Sequence, residues 1–162
     1  MEEQNLMREQ ALILSDRAYR HQMHGELGDA IALYRRSIAT FPTAEAHTYL
    51  GWSYAMMDRY DEAIAECEKA IALDPDFGNP YNDIGAYLIE LDRPEEALPW
   101  LERAVMASRY DTPQFAYVNF GRAYEHLGEP YRAIQAYDRA ISIAPLHLPA
   151  MWAKTALLSR LN

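Results

Sequence analysis

Apolar side chains recur at intervals of three and four residues over most of the chain, the period of a helix that buries one face. Leu50, Tyr54 and Met57 form one such stripe, and Ile64, Cys67 and Ile71 form the next. Between the stripes fall residues that stop and start helices. Gly25 and Gly128 suit the left-handed backbone that closes a helix, and Pro94 and Pro130 suit the first turn of the one that follows. Pro42, Pro75 and Pro145 stand where a helix must end. The pattern predicts short helices in pairs and no strand.

A longer period lies over the helical one. Gly51, Ala63, Ala70 and Pro75 are 12, 7 and 5 residues apart. Gly85, Ala97 and Ala104 repeat the first two spacings 34 residues later, and Gly121, Ala133, Ala140 and Pro145 repeat the whole set 36 residues after that. Ala18, Ala30, Ser37 and Pro42 repeat it upstream. Small residues at fixed helical spacing mark places where two helices approach to the short end of the usual ~8–10 Å.

This 34-residue helix-turn-helix pattern resembles the tetratricopeptide-repeat (TPR) family. The second copy, AEAHTYLGWSYAMMDRYDEAIAECEKAIALDPDF, carries Leu50-Gly51, Tyr54, Tyr60, Ala63, Ala70 and Pro75 where that family has its signature residues. The resemblance implies an all-α fold: a right-handed superhelical solenoid of four repeats, at approximately 11–43, 44–77, 78–111 and 114–147, with a C-terminal capping helix at 148–162, all in one domain spanning 1–162. No single repeat can bury its apolar face alone, so stability is expected from stacking. Two departures fall near the third copy. Pro99 lies inside its second helix, where it deletes one backbone hydrogen bond and is expected to kink it. Arg109 stands in place of the closing proline, and Tyr110 to Pro113 lengthen the link by two residues, so a wider or differently angled seam is expected there.

Composition narrows the function. Half of the 162 residues are hydrophobic and 24% are charged, as in an ordinary folded protein. No apolar run approaches the roughly 18 residues that span a bilayer, and the acidic, polar start MEEQNLMREQ does not read as a secretory signal. A cytoplasmic protein without membrane insertion is expected. The net charge is −9, and from Glu45 to Glu102 there are 14 acidic side chains against 3 basic, Arg59, Lys69 and Arg93. Such a field repels nucleic-acid phosphates and favours a basic partner.

Catalytic and metal-binding patterns are thin. The single cysteine, Cys67, sits in a repeat position also held by Tyr34 and Tyr137, which predicts a buried, inert thiol. His21 and His24 have metal-ligand spacing but no evident third ligand, and His21 and His47 fill positions that ordinarily hold large apolar residues. Neither a phosphate-binding glycine loop nor a nucleophile elbow occurs. No enzymatic activity, cofactor or metal is expected.

What the resemblance implies instead is protein recognition. In that fold the first helices line a concave groove. Carried onto this sequence, the groove positions are Leu12, Ser15, Asp16, Tyr19 and Met23, then Glu45, Thr48, Tyr49, Trp52 and Met56. The later repeats supply Asn79, Asn82, Asp83, Ala86 and Glu90, then Phe115, Val118, Asn119, Arg122 and His126. Tyr19, Tyr49, Trp52 and Met56 offer stiff aromatic and adaptable sulfur surfaces for a partner. Asn82, Asp83, Asn119 and Arg122 offer hydrogen bonds and charge to an extended peptide. Family members that grip acidic tails do so with lysines, arginine and asparagines, and the matching residues here are Ser15, Tyr19, Tyr49, Asn79 and Asp83. An adaptor or scaffold holding a partner peptide or protein segment is therefore expected, with a small dedicated chaperone for a secreted or assembly-bound client as the alternative. Met151, Trp152, Leu157, Leu158 and Leu161 give the C-terminal helix more apolar surface than one packing face needs, so self-association through it is a further expectation.

Overall fold

Nine helices and no strand make up the computed structural model, which describes residues 1–162. They run α1 (Glu2–Met23), α2 (Leu27–Thr40), α3 (Ala44–Ala55), α4 (Tyr60–Leu73), α5 (Asn79–Glu90), α6 (Pro94–Met106), α7 (Pro113–His126), α8 (Pro130–Ile143) and α9 (Leu148–Leu161). Two units divide them, Met1–Pro75 with α1 to α4 and Asp76–Asn162 with α5 to α9. No helix is long and apolar enough to cross a membrane.

Each small-residue quartet locks one helical hairpin. In the first unit a Cβ added at Gly51 would lie 2.9 Å from the Ala63 carbonyl oxygen and 3.3 Å from the Cys67 sulfur. Ala18, Ala30, Ala63 and Ala70 are wholly buried, and the Ser37 hydroxyl, in place of the expected alanine, donates to the Ala11 carbonyl at 2.7 Å. In the second unit the Gly85 position presses on Leu101 and the Gly121 position on the Tyr137 ring, at 2.5 and 2.2 Å from an added Cβ. Cys67 is buried as its repeat position implies.

The turns between paired helices share one geometry. Gly25 and Gly128 take the left-handed backbone expected of them, at φ 77° and 71°. Asp58 and Asp92 hold the same place in the middle repeats at φ 58° and 57°. Aspartate tolerates this region better than most residues, because its short polar side chain bonds locally. In all four turns the next backbone N–H caps the helix by bonding a carbonyl five residues back, as Arg59 N–H does to Tyr54 at 3.0 Å and Arg93 N–H to Leu88 at 2.8 Å. Met57, expected in the buried stripe of α3, is exposed, because α3 ends at Ala55 and Met57 falls in the turn.

The two-residue insertion after the third repeat is filled. Arg109 N–H donates to the Asp76 carbonyl at 2.9 Å and Gly78 N–H to the Arg109 carbonyl at 3.0 Å, an isolated bridge across the open end of the α5–α6 hairpin. The Arg109 guanidinium sits 4.1 Å from the centre of the Phe77 ring, and Tyr110 packs on Gly78, where an added Cβ would be 2.5 Å from it. Helix α6 continues through Pro99. Beyond α8, helix α9 buries Ala150 and Leu157 and is tied down by Lys154 to Asp138 and by Arg160 to Glu125, each at 2.6 Å.

Gly121→Ala tests the lock. Alanine gains about 1 kcal/mol of helix propensity over glycine, whereas overpacking costs about 1–3 kcal/mol. The Tyr137 ring it would strike is buried, and its hydroxyl is held by Glu125 at 2.7 Å. The difference is a net loss of about 0–2 kcal/mol, and because the added Cβ would lie 2.2 Å from a ring that is pinned, the upper end is expected in urea unfolding. An unchanged midpoint would mean that the ring moves aside at no cost.

Candidate functional site

The site residues expected from the sequence gather into two clusters, one in each unit. In the first unit, α1 and α3 present Tyr19, Tyr49, Trp52 and Met56, with relative exposures of 40%, 38%, 37% and 45%. Residues three and four apart share a helix face, which places Trp52 beside both Tyr49 and Met56. Leu12 and Met23 are exposed on α1 as well. Thr48, expected to face a partner, is instead buried and donates to the Ala44 carbonyl at 2.7 Å.

Hydrogen bonds and ring contacts beneath hold this patch in place. Tyr19 meets Tyr49 edge to face at 5.5 Å between centres, and Tyr34 stacks on Tyr49 at 6.1 Å. The buried Tyr34 hydroxyl donates to Gln22 Oε1 at 2.7 Å, and Gln22 Nε2 reaches the Met56 sulfur at 3.8 Å. Burial, with the neighbouring Tyr49, Tyr19 and Asp16, raises the Tyr34 hydroxyl above the usual tyrosine range, so it stays a donor. Gln22, wholly buried, was not singled out in the sequence. The signal was available: Tyr137 in the fourth repeat bonds Glu125, which lies the same four residues after its small residue as Gln22 lies after Ala18.

In the second unit, α5 and α7 carry Asn82, Asp83, Asn119 and Arg122 as one polar ladder. Asn119 Nδ2 donates to Asn82 Oδ1 at 2.9 Å, and Arg122 donates to Asn119 Oδ1 at 3.0 Å and pairs with Glu90. Asn82 and Asn119 are buried, so the two amides read as partner-facing groups also serve each other. Asn82 donates in turn to Asp83, which is crowded by protein but still partly open to solvent. Burial outweighs that hydrogen bond and pushes the Asp83 carboxyl up to about 7. Tyr110 lies within electrostatic reach of Asp83. Its hydroxyl is shut off from solvent and makes no hydrogen bond of good geometry, its nearest partners being Thr112 and the Ala116 backbone.

The histidines divide. His47 is buried and bonds Glu66 at 2.6 Å, and Glu66 also takes Lys69 at 2.8 Å. Although burial alone would raise the Glu66 carboxyl, these two partners together hold it below its ordinary value. His21 pairs with Glu26 close to Asp29, on a part-exposed turn, and His24 bonds the Arg20 carbonyl at 2.7 Å rather than joining them.

Helical hairpins locked by small residues, with chemically varied side chains on their first helices, define a repeat scaffold for protein–protein interaction. Tetratricopeptide-repeat family models match residues 44–77 and 116–145. Anaphase-promoting complex subunit 6 of Arabidopsis thaliana is 27% identical over 124 residues, 74% of this chain, which spans only 23% of that subunit's length. The solved structure of PilF from Pseudomonas aeruginosa shares the fold with a TM-score of 0.85 at 20% identity, covering 97% of this chain and 70% of that one. The second TPR domain of Spaghetti (RPAP3), solved with the HSP90 peptide SRMEEVD, is 26% identical with a TM-score of 0.61, over 67% of this chain and all of that one. The chain is a tetratricopeptide-repeat protein, a family whose members are ordinarily interaction modules rather than enzymes.

Asp83→Asn is expected to stabilise the fold. A carboxyl raised from 3.8 to about 7 by folding costs nothing below pH 4, where both states are protonated. Its cost grows between those values, as the unfolded chain gives up the proton first, and is constant above them. Thermal unfolding is therefore expected to show a gain of about 1–3 kcal/mol for the variant at pH 8, shrinking to nothing near pH 3.5. Equal gains at both pH values would remove the carboxyl's charge as the cause.

Proposed function

We propose that this chain is an adaptor that docks a segment of another protein on the first helices of its repeats. The observation that carries the reading is the patch of Tyr19, Tyr49, Trp52 and Met56. Large aromatic and sulfur side chains remain exposed there although the helices beneath are already packed. Exposed aromatic clusters of this kind supply most of the affinity at interaction hot spots. The ladder of Asn82, Asp83, Asn119 and Arg122 is a second docking surface, suited to the backbone and polar side chains of an extended segment. The RPAP3 domain binds an acidic HSP90 peptide. The positions where acidic-tail binders of the family place cations hold Ser15, Tyr19, Tyr49, Asn79 and Asp83 here, none of them a cation, and the last three fall in the acidic stretch from Glu45 to Glu102, so the segment is of a different kind.

Self-association through α9 is a separate reading, favoured by its outer face. Leu148, Met151, Trp152, Leu158 and Leu161 are all exposed, Trp152 at 65%, while the charged Lys154 and Arg160 are turned to Asp138 and Glu125. An uncharged apolar face is self-complementary under a two-fold axis. Light scattering at rising concentration is expected to show a dimer that Trp152→Glu returns to monomer, with unfolding unchanged within about 0.5 kcal/mol. A wild-type chain that stays monomeric throughout would end this reading.

Trp52→Ala tests the adaptor. Partner capture followed by mass spectrometry, then titration of the captured segment, is expected to show a loss on the order of 2 kcal/mol or more. Folding stability is expected to fall far less than for Tyr54→Ala, which empties a buried site at a cost of about 3–5 kcal/mol. Retention of the partner by Trp52→Ala would sink the patch as docking site. Capture of an unfolded client only would move the function to a chaperone.

A further inference from the structure

Asp83 is at odds with its surroundings. It stands on α5 with a carboxyl crowded by protein, yet no lysine, arginine or histidine of the chain pairs with it, and only Asn82 hydrogen-bonds to it. A crowded carboxylate without a counter-ion weakens the fold. The cation in the same ladder, Arg122, does not supply one, because it is committed to Glu90 and to Asn119 Oδ1. A site that leaves one group uncompensated while satisfying its neighbours is where function departs from stability.

The carboxyl is also reachable. Asn79 and Ala86, one turn to either side on α5, are half-buried, as is Asp83 itself, and the small Ala86 leaves room above it. From Glu45 to Glu102 the chain carries 14 acidic side chains against 3 basic, so an approaching cation is drawn in before it touches anything.

Resting on the docking function above, we infer that the α5–α7 face of the second unit seats a lysine or arginine side chain of the partner segment, with Asp83 as its counter-ion and the Asn82–Asn119 pair fixing the carboxylate that receives it. The incoming cation supplies the missing partner, so the strain carried in the free protein becomes affinity in the complex. The two amides hold each other and Asn82 holds Asp83, which keeps the carboxylate oriented before the partner arrives and lowers the ordering cost of binding.

A random peptide library displayed on phage and selected on the full-length protein tests this. One fixed position of the enriched peptides is expected to be lysine or arginine on the wild type and on Glu95→Gln, which removes an equal charge from an exposed site on α6. The basic preference is expected to vanish on Asp83→Asn, whose fold is not weakened. For one enriched peptide, replacing the basic residue with norleucine is expected to weaken binding at least tenfold on the wild type and to change little on Asp83→Asn. Enriched peptides without a basic position, or a basic position that survives Asp83→Asn, overturn the inference while the docking reading stands. A library that enriches nothing on the wild type overturns both.

Discussion

The close approach of paired helices is the constraint from which the rest follows. Ala18, Gly51, Gly85 and Gly121 each face a partner column of Tyr34, Cys67, Leu101 and Tyr137, and at the three glycines even one methyl group would collide. Packing this tight is settled by a few small residues per repeat. It leaves the remaining face of each first helix free to vary without disturbing the lock. Two units built on the same lock therefore carry unlike surfaces, aromatic and sulfur-rich in one, amide-rich and acidic in the other.

Within the lock, the partner column has two solutions. In the first and fourth repeats a tyrosine fills the space and its hydroxyl is met by Gln22 or Glu125. In the second and third, Cys67 and Leu101 fill it, and the residue at the matching place is Ala55 or Ile89. A buried hydroxyl requires a partner, and an apolar side chain does not, so the two positions change together.

Fold and site differed in how far the sequence disclosed them. Helix ends at Gly25, Gly128, Pro94 and Pro130 were legible because glycine enters the left-handed region without strain and proline fixes the backbone of a first turn. The turns at Asp58 and Asp92 were not, since aspartate is common in many other backbone conformations and takes the left-handed one here only as part of the helix-closing turn. The exposure of Tyr19, Tyr49, Trp52 and Met56 could be read from their offset to the small residues. Helical period does not reveal which polar groups satisfy one another across helices. Asn82 and Asn119 lie 37 residues apart and meet only through the packing of α5 beside α7. The isolation of Asp83 is likewise a property of who else is nearby, and no spacing rule carries it.

The clasp at Arg109 has a consequence for how the third repeat moves. Its bonds to Asp76 and Gly78 join the two ends of the α5–α6 hairpin, so a segment that looks like a loop closes a ring. A ring of this kind opens as one cooperative piece rather than fraying from its ends. The amide protons of Gly78 and Arg109 are thereby tied to the opening of the whole repeat, and a protease that would cut an ordinary interrepeat link meets here a strap pinned to Asp76 and Gly78 by backbone hydrogen bonds. What reads as two surplus residues works as a fastening on the repeat that bears Asp83.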